Sequence, residues 1–288
     1  MDALIIITVG FLVAFNCGIL GSFLVLRKMA MIGDAISHAV LPGIVIAFML
    51  SGSRENIFMM IGAGVIGVFV TIMIEVFTRK GKIPVDAAIG YSFTFLFAIG
   101  IILLTAFADD VDIDEQCVLY GEIIYIPFNV WVTEGGLNLG PTALWIVGLN
   151  SLIVIIIVLS FYKELLITSF NPDFAESVGI KPIVWHYVLM GLVSYTAVSS
   201  FESVGAVLVV GLIIIPPATA YLITERFNKM LIYTTIIALM TSILGYYLAF
   251  LLNVSVAGAM ITVSGTIFLL VFYISNQYNK RVIMSESE

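Results

Sequence analysis

Asp34 and His38 stand four residues apart in MAMIGDAISHAVLPGI, a stretch otherwise apolar enough to lie inside a membrane. On a helix that spacing stacks both side chains on one face, about 6 Å apart along the axis. A carboxylate and an imidazole so placed can grip one divalent cation, and the mixed O and N donors suit Zn²⁺, Mn²⁺ or Fe²⁺. The same pair can instead satisfy itself as an ion pair or pass a proton. Two ligands do not complete a transition-metal shell, whereas a symmetric dimer would bring four. Ser37 points to another face. Gly33, Pro42 and Gly43 flank the pair and loosen the helix, which frees backbone carbonyls to line a pathway.

Other groups that could do chemistry are few. Asp86, in IPVDAAIGYSF, falls in the first turn of a helix, where capping and the helix dipole explain a carboxylate; a part in ion release is the alternative. Glu202, in SSFESVGAV, sits at the outer end of an apolar stretch and reads as a snorkelling carboxylate or a gate ligand. His186 lies between Trp185 and Tyr187, as in an interfacial aromatic belt. Met29, Met31, Met59 and Met60 read as packing residues rather than thioether ligands, and Gly62, Gly64 and Gly67 as close helix contacts. Asp109, Asp110, Asp112, Asp114 and Glu115 mimic a calcium loop, but with Asp110 first, Glu115 takes the glycine position and Gly121 the bidentate-glutamate position. A solvated acidic loop, a cation funnel or a docking surface remain.

The elements that must hold these residues are set by composition. Of 288 residues, 61% are hydrophobic and 11% charged, where a soluble domain carries about 25% charged residues. Soluble and disordered classes are thereby excluded. Charge and turn clusters separate nine apolar stretches, roughly 3–26, 31–50, 57–77, 84–106, 143–161, 183–200, 204–223, 231–252 and 256–275. Each approaches the ~20 residues that span a bilayer as a helix, and open strand edges have no place in lipid. The first stretch lacks a basic n-region and a small-residue cleavage site, so it reads as a span. Pro216-Pro217 interrupts the seventh, so eight spans plus a half-helix is a variant.

With the N-terminus outside and the C-terminus cytoplasmic, Arg27, Lys28, Arg79, Lys80, Lys82, Lys163, Lys181, Arg226, Lys229, Lys280 and Arg281 all face the cytoplasm, and only Arg54 lies outside. The net charge of −7 therefore says less than its distribution: the acidic cluster falls in the external connection 107–142. The internal connection 163–182 reads KELLITSFNPDFAESVGIKP, with a turn at Asn171-Pro172, a short helix capped by Asp173 and an end at Gly179. Such a projecting helix is what a membrane protein offers a soluble partner. Cys17 and Cys117 form neither a CxxC site nor a disulfide framework. Gly81-Lys82 is followed by Ile83, so no phosphate-binding GxxxxGKS/T loop exists and the chain does not bind ATP in that manner.

GDAISHAVLPGI (33–44), VDAAIG (85–90), ELLITSFNPDFAESVGI (164–180) and VGAVLVVGLIIIPPATAYL (204–222), in this order, resemble the permease subunits of the zinc/manganese/iron-type metal-ion ABC importers. The resemblance runs from about residue 10 to 275. It implies an all-α polytopic membrane protein of the vitamin-B12-importer-like permease type, one transmembrane domain over 1–288. It further implies the bacterial cytoplasmic (inner) membrane, a homodimeric pathway, an ATP-binding cassette subunit inside and an extracytoplasmic metal-binding protein outside. In such permeases the DxxxH motif contacts the metal, which carries over to Asp34 and His38. The segment after the fifth span couples to the ATPase, which carries over to Asn171, Pro172, Asp173, Phe174, Ala175, Glu176 and Gly179. Asp86 and Glu202 are secondary pathway candidates. No intrinsic cofactor and no nucleic-acid partner are implied; the transported ion is Zn²⁺ or Mn²⁺. A self-contained secondary transporter or channel is the main alternative, and an intramembrane metal hydrolase a remoter one, since only two histidines exist.

Overall fold

The computed structural model describes residues 2–51, 56–107, 123–132 and 138–286. In chain order the helices are α1 (Asp2–Leu26), α2 (Ile32–Ala39), α3 (Leu41–Ser51), α4 (Asn56–Arg79) and α5 (Val85–Phe107). After a 3₁₀ turn at Ile123–Phe128 and a hairpin of β1 (Val130–Val132) and β2 (Asn138–Pro141) come α6 (Thr142–Ser160), α7 (Tyr162–Phe170) and α8 (Pro172–Ser177). The chain closes with α9 (Pro182–Val204), α10 (Ala206–Ile223), α11 (Phe227–Leu252) and α12 (Val256–Glu286). Nine candidate spans lie among the described residues, α2 and α3 together forming one. The acidic cluster Asp109–Glu115 and Cys117 lie outside the described residues.

The break between α2 and α3 has a chemical cause. Pro42 has no N–H, so the His38 carbonyl loses the donor that would close its helical turn. α5 fits against this break through Gly100, where a Cβ would lie 2.8 Å from Pro42 Cδ. Pro216-Pro217 behaves differently: α10 runs unbroken through both prolines for 18 residues. At 1.5 Å per residue that is about 27 Å, close to the hydrocarbon thickness, so the half-helix variant does not hold. The carbonyl that Pro217 leaves free, that of Ile213, meets Gly21 of α1, where a Cβ would lie only 2.0 Å from it. Gly205 alone joins α9 to α10, at φ 82°, a left-handed turn that favours glycine.

α1 is the central post, packed on α10 and α11 and also touching α6, α7 and α9. Lipid supplies no hydrophobic drive between helices, so close contact and hydrogen bonds hold them. Asn16 Nδ2 donates to Ser151 Oγ at 2.9 Å, joining α1 to α6. Asn150 Nδ2 donates to Ser199 Oγ at 3.1 Å, and Thr196 Oγ1 donates to Asn150 Oδ1 at 3.1 Å, joining α6 to α9. Large apolar side chains such as Leu50, Val65, Leu149, Phe250 and Leu269 point outward, as a bilayer solvent allows.

Candidate metal centre and its supports

The structure places Asp34 and His38 on one face of α2, with His38 Nε2 3.4 Å from Asp34 Oδ1. Two donors each about 2.1 Å from a tetrahedral ion are themselves about 3.4 Å apart, so one small divalent ion fits between these atoms. The Ser37 hydroxyl donates to the Asp34 carbonyl at 2.7 Å and is thereby occupied within its own turn. The imidazole lies 5.7 Å from the rings of both Phe93 and Phe97 of α5. Those residues stand 8 and 12 positions into α5, about 12–18 Å from its first turn. His38 therefore lies inside the span, and Asp34, in the first turn of α2, about 6 Å nearer the start of that span. There the Asp34 and His38 side chains are 29% and 38% exposed. A carboxylate cannot face hydrocarbon at that depth, so the pair opens onto water or onto another subunit.

Asp86 is exposed in the first turn of α5. Phe93 and Phe97 follow it at i+7 and i+11, so all three share a helix face, with Asp86 about 10 Å nearer the helix start than Phe93. Gly90 lies on the same stripe, and a Cβ there would meet nothing within 4 Å. Glu202 belongs to the last turn of α9; its side chain lies outside the described residues.

The connection after α6 forms two short helices. Asn171, not Asp173, caps α8: its Oδ1 accepts from the Phe174 N–H at 3.0 Å, and Pro172 occupies the first turn. Proline needs no donor partner there, so Asn-Pro is a stronger start signal than the aspartate two residues later. Gly179, at φ 83°, ends the helix, with the Ile180 N–H donating to the Ala175 carbonyl at 2.9 Å. Ala175 is buried, Asp173 and Glu176 are exposed, and Phe174 and Val178 are 54% and 53% exposed. Two apolar side chains, Phe174 within the capped helix and Val178 at its end, thus project outward.

His186 is drawn into a basic node rather than a simple aromatic belt. Arg27, just past α1, donates through NH1 to His186 Nδ1 at 3.2 Å, through Nε to Ser169 Oγ at 2.9 Å and through NH2 to Thr168 Oγ1 at 3.2 Å. Since a guanidinium only donates, His186 carries its proton on Nε2. Glu75 of α4, buried at 8% exposure, pairs with Arg79 at 2.8 Å. An acid four residues before an arginine is the one sequence signal for this pair. The Tyr162 hydroxyl donates to Asn228 Oδ1 and ties α7 to α11; burial raises the pKa of this phenol. These contacts gather residues 27, 79, 168, 169 and 186 at one end of the bundle.

The sequence pattern describing the ABC 3 transport family matches residues 3–275. The manganese transport system membrane protein MntD of Bacillus subtilis is 45% identical over 270 residues, which cover 94% of this chain and 91% of MntD. The zinc transport system membrane protein TroD of Treponema pallidum is 36% identical over 278 residues, 95% of this chain and 74% of TroD. Among solved structures, PsaBC from Streptococcus pneumoniae in complex with Fab superimposes with a TM-score of 0.77 at 30% identity, covering 96% of this chain and 93% of that one.

Proposed function

The chain belongs to the ABC 3 transport family, and we propose that it carries Mn²⁺ or Zn²⁺ across the membrane along the Asp34/His38 face of α2. It is a permease subunit, a multi-pass protein of the bacterial cytoplasmic membrane, and ATP hydrolysis belongs to a separate subunit. The observation that carries the metal reading is the intramembrane pair, 3.4 Å apart and part-exposed. Relatives named for manganese and for zinc transport support the same pair of cargoes.

In this reading residues 1–288 act as one permease domain with the basic node at the cytoplasmic face, because cationic loops stay inside. Each chain offers two ligands, and among the described residues no cluster of three or more His, Cys, Asp or Glu side chains exists. A second copy facing the first supplies the other two, which explains why the pair is open at that depth. A site of two pairs binds well enough to admit the ion and weakly enough to release it. Asp86, on the same face of α5 and nearer the cytoplasm, receives the ion on release; Glu202, at the far end of α9, guards the outer mouth. An extracytoplasmic metal-binding protein delivers the ion, and the segment Asn171–Gly179 seats the ATPase.

Reconstituted with its ATPase, the chain is expected to take up Mn²⁺ or Zn²⁺ only with ATP, and the chain alone is expected to be silent. Metal-resolved uptake into proteoliposomes decides this, and gradient-driven uptake by the chain alone would overturn it. Phe174→Ala is expected to lower the ions moved per ATP at least about tenfold, since buried aromatic anchors carry more than their share of an interface. Its side chain lies outside the core, so the amount of protein in the membrane should be unchanged. An unaltered transport-to-hydrolysis ratio would remove α8 from the coupling role.

A further inference from the structure

The Arg27 node borders a cavity of about 340 Å³, walled by α1, α7, the start of α8, α9 and the end of α4. Arg27, Lys28, Arg79 and His186 line it together with the hydroxyl-bearing Thr168 and Ser169. Arg27 is the most deeply placed of the three cations, and its desolvation draws the guanidinium pKa down to about 10, still fully charged at neutral pH. Its hydrogen-bond partners are all neutral. The Thr168 hydroxyl spends its own proton on the Glu164 carbonyl at 2.7 Å, and the Ser169 hydroxyl on the Leu165 carbonyl at 2.6 Å. Among the described residues no carboxylate forms an ion pair with Arg27; Glu75 pairs with Arg79 and also lies within electrostatic reach of His186. A desolvated positive charge held by dipoles alone is costly unless an anion completes it.

We propose that this cavity binds a phosphate-bearing anion, and that the headgroup of an anionic phospholipid of the cytoplasmic leaflet supplies it. The cations provide charge, and Arg27 offers a planar fork suited to phosphate oxygens. Depth selects the lipid. Arg27 follows the last residue of α1 directly, Arg79 is the last residue of α4, and His186 lies within the first turns of α9. All three sit at the level where spans end and headgroups lie, with Pro172 at the start of α8 closing the cavity's outer side. The wall is completed by the apolar Leu26 and Met29, as the neck of a lipid requires. Basic pockets between helices on the cytoplasmic side bind anionic headgroups in this way. The inference stands independently of which ion is transported.

The test uses the full chain in phosphatidylcholine nanodiscs, with phosphatidylglycerol titrated in and thermal unfolding as the readout. Wild type is expected to gain stability in a saturable manner. Lys28→Gln, which removes a charge without breaking a hydrogen bond of the node, should shift the midpoint of that titration about fivefold, the ~1 kcal/mol that one basic residue contributes near an anionic surface. Arg27→Gln should abolish the gain. Inorganic phosphate added to phosphatidylcholine discs forms the second arm: a rise there, lost in Lys28→Gln, keeps the site and names soluble phosphate as its source. No rise in either arm, or equal rises in wild type and Lys28→Gln, overturns the proposal.

Discussion

Asp34→Asn and His38→Gln are each expected to lower metal uptake by the assembled transporter at least about a hundredfold. The substitutions keep side-chain size but remove a charge or a strong donor from a pair 3.4 Å apart. Loss of a group that merely orients a metal ligand costs about 10–100-fold in affinity. Loss of a ligand should exceed that, and in a symmetric dimer each substitution removes two ligands of four. The double variant should lose little more than either single one, because ligands that act as a unit are not additive. Both side chains are only part-buried and neither ties two helices together in the way Asn16 or Asn150 does, so assembly with the ATPase and basal ATP hydrolysis should persist. Uptake at the wild-type rate in either variant, measured in proteoliposomes, would falsify the site. Loss of basal hydrolysis as well would instead indicate misassembly.

The membrane class and the pair were legible because their signals are local. Nine apolar stretches follow from hydropathy, and Asp34 and His38 share a face by helical arithmetic alone. Proline shows where local reading fails. Pro42 and Pro216-Pro217 give the same signal, yet the first breaks a helix and the second is carried through an unbroken one. Each faces a glycine of a neighbouring helix, Gly100 at Pro42 and Gly21 at the Ile213 carbonyl, and neither approach is written in the local sequence. The buried amides were illegible for the same reason: Asn16 and Ser151 are 135 residues apart in sequence. The stripe from Phe97 to Asp86 was half legible. Its residues share a face by spacing, but only packing shows that nothing fills the room beside Gly90. The Arg27 node needed three segments brought to one end, and no spacing in the chain announces that.

Gly21→Ala is expected to prevent stable folding. The added Cβ would lie 2.0 Å from the Ile213 carbonyl oxygen, 2.9 Å from its carbon and 2.9 Å from Pro217 Cγ. A flexible side chain could swing away, but the first two atoms are backbone in the middle of α10. α1 would have to move off α10, and it also packs on α11, α6 and α9. Ordinary overpacking costs ~1–3 kcal/mol, and a contact with fixed backbone belongs at or above the top of that range. The wild-type contact is itself favourable, since the glycine Cα–H can face a carbonyl that lacks its N–H partner. Gly64→Ala and Gly191→Ala provide the comparison, because a Cβ at either meets nothing within 4 Å. Both should leave the melting temperature and the yield of monodisperse protein in detergent near wild type, while Gly21→Ala gives little protein to melt. Pro217→Ala added to Gly21→Ala should not rescue it, because the shortest contact is to the Ile213 oxygen and not to the proline ring. Rescue by Pro217→Ala would place the constraint in the ring, and α1 and α10 would then be held together by side-chain fit rather than by the approach of two backbones.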